Sequence, residues 1–174
     1  MRIAAGADHA GWALKQALVA RLRAGGHEVL DLGTDGDGVA VDYPNYAHAV
    51  AKVVERCEVE RGLLVCGTGL GMSMAANRHP HVRAADCWTP EVAELSRRHN
   101  DANVLCLGGR LLDEEGAWKI VEAWLRAPFE GGRHERRVAA IEGAGAGGAG
   151  AGGAGTARAS APAPASPAPE SAGE

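Results

Sequence analysis

Five short apolar runs recur along the chain, separated by longer stretches with helical periodicity. Arg2-Ile3-Ala4-Ala5-Gly6 is the first. From Gly11 to Arg23, the spacing of Trp12, Leu14, Leu18, Val19 and Leu22 predicts a helix, which Gly25-Gly26 stops. His27 to Leu32 is the second run. A Gly- and Asp-rich loop then leads to Tyr43-Pro44, where proline suits the first turn of a helix ending near Cys57. Arg61 to Cys66 carries the most strongly apolar run, and a helix is expected beyond the following glycines as far as Arg78. Val82–Cys87 and Val104–Gly108 are the fourth and fifth runs. Between them Thr89-Pro90-Glu91 supplies an N-cap, a first-turn proline and an acid at the helix start. Two further helices are expected, from about Asp113 to Arg126 and from Arg133 to Ile141.

Strands alternating with helices of this length imply an α/β fold. The expected architecture is a three-layer, doubly wound, Rossmann-like sheet of about five parallel strands with helices on both faces. Its crossovers should be right-handed. Ligands of such sheets bind beyond the carboxyl ends of the strands, near a switch in strand order. Residues directly after the apolar runs are therefore the first candidates for chemistry.

Composition divides the chain. The 174 residues are 46% hydrophobic, enough for one ordinary core over residues 1–142. From 143 to 174 Gly/Ala repeats give way to Ala/Pro/Ser alternation without a large apolar side chain, so a disordered tail is expected there. A net charge of −4 gives no reason to expect nucleic acid or an anionic membrane as partner. No run approaches the roughly 20 apolar residues of a bilayer span, and the N-terminus lacks the apolar stretch of a secretory signal. The cytoplasm is the expected location. Cys57, Cys66, Cys87 and Cys106 form no Cys-x-x-Cys pair and have no matching histidine pair, so neither a zinc site nor a disulfide framework is expected.

Asp8-His9 follows the first run, and Cys66-Gly67-Thr68-Gly69-Leu70-Gly71 follows the third. Alternating glycines at a helix start let several amides converge on one point and favour an anion. The same loop also serves as a tight turn with no ligand. Met72 stands where the third glycine of a dinucleotide fingerprint belongs, and no Lys-Ser or Lys-Thr completes a phosphate-binding P-loop. Cys66 beside those amides is either a core cysteine or a base whose thiolate the local donors favour. His99, at a helix end beside Asn100, is either a proton carrier or a solvated side chain. Arg110 follows the fifth run. Arg133 and Arg137, four apart on a helix opened by Gly131-Gly132, form either a phosphate clamp or a solvated basic face.

Taken together, these segments resemble the ribose-5-phosphate isomerase B family, within the wider group that includes the galactose-6-phosphate isomerase subunits. The matching stretches are Gly6-Ala7-Asp8-His9-Ala10-Gly11, Asp42-Tyr43-Pro44, Cys66 to Ser73, Ala75-Ala76-Asn77, Ser96 to Leu105, and Glu130-Gly131-Gly132-Arg133-His134. They run in order from the start to about Ile141.

The resemblance implies an aldose–ketose isomerase that interconverts ribose 5-phosphate and ribulose 5-phosphate through an enediolate, in the non-oxidative pentose phosphate pathway. Cys66 would be the base, Thr68 would assist at the two oxygens, and the amides from Gly67 through Gly71 would stabilise the enediolate. His99 would open the sugar ring. Asp8, His9 and Asn100 would hold hydroxyls, and Arg110, Arg133 and Arg137 would bind chiefly phosphate. No cofactor or metal is implied, and a homodimer with sites drawn from both subunits is expected. Some relatives use a glutamate as base where Met72 stands here, so the sequence resembles the cysteine-using branch. Trp88 and the loop from Thr34 to Val41 depart from the pattern and leave substrate length open. A six-carbon sugar phosphate (allose or galactose 6-phosphate) is the alternative substrate, and a non-catalytic sugar-phosphate binder is the alternative class.

Overall fold

The computed structural model describes residues 1–143, so the tail expected from 143 onward lies almost wholly outside the described residues. Its five strands are β1 (Arg2–Ala7), β2 (Glu28–Asp31), β3 (Arg61–Cys66), β4 (Ala84–Asp86) and β5 (Val104–Gly108). They form one sheet, ordered β2-β1-β3-β5-β4, and every pairing is parallel. The chain steps from β1 outward to β2, then crosses back to lay β3 on the other side of β1. The order therefore switches between β1 and β3, and the segments after those two strands flank the switch.

Alternation along each strand buries both faces. Ala5, Ala7, Leu63, Val65, Leu105 and Leu107 point to one face, beneath α1 (Trp12–Ala24), α4 (Pro90–Asn100) and α5 (Glu114–Arg126). Ala4, Leu64, Cys66, Val104 and Cys106 point to the other, beneath α2 (Tyr43–Glu55) and α3 (Leu70–Ala76). The expected three layers are present. The last helix, α6 (Arg133–Ile141), packs beside α4.

Local chemistry accounts for the boundaries. The Thr89 hydroxyl accepts the Val92 amide at the start of α4, and Asp113 accepts that of Gly116 at the start of α5. Gly131 and Gly132 both take positive φ, 65° and 56°, which turns the chain into α6. Three elements are shorter than the pattern suggests, and β2 loses one residue at each end of the expected His27–Leu32. The Asn77 side chain ends α3 by pairing with both the amide and the carbonyl of Ala84, rather than letting the helix continue to Arg78. His81 at φ 61° then delays β4 until Ala84. Beside this turn the His79 ring joins Glu55 at 3.0 Å and His48 at 2.9 Å. Among the described residues no helix is long and apolar enough to cross a membrane.

Candidate active site

At the carboxyl edge of β3 the chain curls back on itself. Gly69, at φ 86°, donates its amide to Cys66 Sγ at 3.2 Å. A side chain at Gly69 would meet an Asp86 oxygen at 2.0 Å, so glycine is required twice over, for conformation and for space. Cys66 is 4% exposed, beneath the loop on the α2/α3 face. Thr68, at the crest of the turn, is exposed. The other cysteines are poorer candidates: burial pushes the Cys87 thiol up to about 11, burial also raises Cys106, and Cys57 lies exposed beyond α2.

The segment after β1 meets this loop at the switch point. A Cβ at Gly11 would stand 2.3 Å from the Val65 carbonyl oxygen, so the Asp8–Gly11 turn lies directly on the end of β3. Asp8, 6% exposed, accepts the Gly11 amide at 2.9 Å. His9 Nδ1 accepts the Val41 amide at 3.2 Å, which leaves the ring proton on Nε2, the nitrogen free to donate. The Gly109 amide bonds the Cys66 carbonyl at 2.7 Å and the Arg110 amide bonds that of Gly67, so the exposed Arg110 side chain folds against Gly67. Asp8, His9, Cys66, Gly67, Thr68, Gly69, Leu70, Gly71 and Arg110 therefore come together.

His99, Asn100, Arg133 and Arg137 do not join them within one chain. Helix α4 runs antiparallel to the strands, and its end sits beside their starts. Ala102 follows it, the Asn103 amide bonds the Arg83 carbonyl ahead of β4, and the Gly62 amide at the start of β3 bonds the Asn103 carbonyl. Cys66 pairs with Gly108 at the opposite strand ends. A strand of this length separates the two edges by roughly 17–20 Å.

At the amino edge the His99 and His134 rings stack in parallel, centroids 4.3 Å apart and planes 3° from coplanar. Glu130 Oε2 lies 3.7 Å from His99 Nε2 and 3.6 Å from His134 Nε2, while Oε1 holds Arg98. Burial, then His99 and the neighbouring arginines, lower the buried His134 below the ordinary imidazole range. Arg98 holds the Glu130 carboxylate below its ordinary range. These donors are close enough together to suggest a cation site. Parallel rings, however, send their nitrogen lone pairs side by side rather than to one point, so the trio suits proton handling better than a metal. Arg133 and Arg137 are exposed on α6. A cleft of about 730 Å³, lined in part by Asn77, His79, Arg83, Asn100 and Glu142, opens at this edge, not over Cys66.

Four site neighbours escaped the sequence reading. Tyr43 lays its ring on Gly71, where a Cβ would come within 2.6 Å of it; the Asp42-Tyr43-Pro44 stretch was legible, the contact was not. Glu130 and His134 lay in a matching stretch without an assigned role. Asp86 lies within a run that reads as apolar, yet both its oxygens are buried without a hydrogen-bond partner.

A buried thiol that accepts a loop amide, beside an exposed hydroxyl at the switch point of the sheet, is the arrangement of a small-molecule enzyme of the doubly wound α/β class. A family model described as Ribose/Galactose Isomerase matches residues 3–141. Ribose-5-phosphate isomerase B of Escherichia coli (strain K12) is 51% identical over 140 residues, 80% of this chain and 93% of that protein. The solved ribose-5-phosphate isomerase B of Clostridium thermocellum superposes with a TM-score of 0.81 at 46% identity, covering 83% of this chain and 97% of that one. The Mycoplasma genitalium ribose-5-phosphate isomerase B, solved with bound ribulose-5-phosphate, gives 0.80 at 38% identity over 84% and 97%. The chain belongs to the ribose/galactose isomerase family.

Proposed function

We propose that this chain is an aldose–ketose isomerase acting on ribose 5-phosphate and ribulose 5-phosphate through a cis-enediolate. The observation that carries the reading is Cys66 Sγ beneath the glycine loop after β3, with Gly69 N–H on the sulfur at 3.2 Å. The thiolate removes the proton from C2 of the open aldose and returns it to C1. Charge that develops on O1 and O2 meets the amides from Gly67 to Gly71, and Thr68 passes the hydroxyl proton between the two oxygens. Fixed donors of this kind contribute roughly 3–4 kcal/mol apiece in studied cases. Proton transfer adds about 10²–10⁴-fold. Neither hydride carrier nor electron sink is needed.

Asp8, His9 and Asn100 hold sugar hydroxyls, with His9 donating through Nε2 because Nδ1 is engaged by Val41. Arg110, Arg133 and Arg137 hold the phosphate, whose remote binding positions the reacting carbons. His99 opens the furanose ring. Since His99, Asn100, Arg133 and Arg137 belong to the amino edge and Cys66 to the carboxyl edge, a working site takes the former from a second copy. A homodimer with two shared sites satisfies this requirement. The surface around the thiol loop supports it: Leu70 and Met74, one turn apart on α3, are 47% and 65% exposed, and Trp88 is 56% exposed.

The test is an isomerisation assay on purified protein in metal-chelated buffer, comparing ribose 5-phosphate with allose and galactose 6-phosphates. Turnover of the pentose in preference to both hexoses is expected. A chain that binds all three and converts none would instead be a sugar-phosphate binder.

A further inference from the structure

Glu130 ties together two groups that the proposed reaction uses separately. Its backbone amide bonds the Arg98 carbonyl at 3.0 Å, at the end of α4. Its Oε1 accepts from Arg98 Nε at 2.6 Å and pairs with Nη2 of the same guanidinium. That double attachment fixes the carboxylate, and the remaining oxygen faces the Nε2 atoms of both stacked imidazoles at 3.7 and 3.6 Å. The positive-φ pair Gly131-Gly132 then carries the chain directly into Arg133 and α6. His134 is 4% exposed and His99 lies at the surface, so only His99 of the stacked pair can reach a sugar.

We propose that Glu130 is the positioning residue of ring opening: it orients His99 and balances the charge His99 gains while the furanose ring opens. This rests on the reading of His99 as the ring opener. Opening breaks the bond between C1 and the ring oxygen. The anomeric O1–H proton passes to His99 and the ring oxygen acquires a proton in turn, leaving the open aldehyde with no net change. While His99 carries the extra proton, a fixed carboxylate beside Nε2 stabilises the imidazolium without itself being protonated, the role of the aspartate in a Ser-His-Asp triad, although Glu130 stands in contact with solvent where that aspartate is buried. The 3.7 Å separation between Glu130 and His99 is longer than a hydrogen bond. Catalytic contacts of this kind commonly close only when substrate is bound. The stacked, neutral His134 backs the ring and restricts its tilt.

A distinguishing test follows from the chemistry of the two substrates. Ribulose 5-phosphate is acyclic, because the hydroxyl that would close its five-membered ring is esterified. Its enolisation needs the thiol but no ring opening. Full-length wild type and Glu130→Gln would be compared in two assays: net conversion of ribose 5-phosphate, and exchange of the ribulose 5-phosphate C1 proton with deuterated solvent, followed by NMR. Glutamine keeps an acceptor for Arg98 and removes the charge. We expect net conversion to fall by about tenfold or more, part of the roughly 10²–10⁴-fold that proton transfer contributes, while exchange stays within about twofold. Glu130→Asp should recover part of the loss. An equal fall in both assays would make Glu130 a structural strut of the phosphate clamp and overturn the proposal, as would no fall in either. A wild-type chain unable to exchange the proton would overturn the isomerase reading first, a different result from any change in the variant.

Discussion

The Gly69 amide and the Cys66 sulfur face each other across 3.2 Å inside a four-residue turn. The thiol is thus both a buried core side chain and the acceptor of a loop amide. Under the proposed function its removal should spare binding, which that reading gives to the arginines and loop amides, and abolish proton transfer. Cys66→Ala is expected to lower kcat by about 10²–10⁴-fold with KM within a few-fold of wild type. Steady-state kinetics check this, and wild-type turnover in the variant would remove Cys66 as base.

Cys66 and His99 stand at opposite edges of one sheet, so a shared site makes a specific demand on mixtures. Cys66→Ala and His99→Ala chains should each be nearly inactive. After co-refolding, a mixed dimer holds one site with both residues intact and one with neither. Random pairing should therefore restore about a quarter of wild-type activity. Mixtures no more active than their components would mean that each chain completes its own site.

How much of this was legible in the sequence depends on what kind of signal each residue carries. Strands and helices were readable because apolar periodicity is local: the expected bounds of β3, β5 and α6 coincide with those observed. The carboxyl-edge group was readable because chain order places residues after strands at one edge. The amino-edge group resisted the same logic. That His99 lies far from Cys66 follows from α4 running back along the sheet, which depends on topology, and only the family resemblance suggested shared sites. Contacts such as Tyr43 on Gly71 or Glu130 between two rings depend on side-chain reach across elements, which no spacing rule encodes. Asp86 was missed for a simpler reason: a single carboxyl within an apolar run does not reveal whether it is solvated.

Glu142 bears on where the chain can be shortened. Its carboxylate bonds Arg83 at 2.7 Å and the His81 amide at 3.0 Å, pinning the end of α6 to the segment before β4. Removal of residues 144–174 should leave kcat and KM unchanged. Truncation after Ile141 also deletes Glu142, frees α6, and should raise KM through Arg133 and Arg137 with little change in kcat. If the chain ending at Gly143 lost turnover as well, residues 144–174 would contribute to the site.

Asp86 presents a cost that the fold carries at neutral pH. Both oxygens are buried without a partner, and burial raises the carboxyl above its ordinary 3.8, opposed only in part by the nearby Trp88 side chain. The folded state therefore binds this proton more tightly than the unfolded chain does. As pH rises from the unfolded value through the folded one, unfolding releases a proton and stability declines; below the unfolded value the penalty is absent. Asp86→Val, close in volume and suited to a strand, should be more stable than wild type at pH 7.5 by about 1–3 kcal/mol, the usual penalty for an unsatisfied buried polar group. That advantage should shrink towards pH 4. Urea denaturation of both proteins at the two pH values decides the matter. A loss at pH 7.5 would mean that the carboxylate has a partner on this edge of the sheet, with a second subunit over the thiol loop the first place to look; an advantage of the same size at each pH would assign the gain to strand propensity or packing and not to the carboxylate charge.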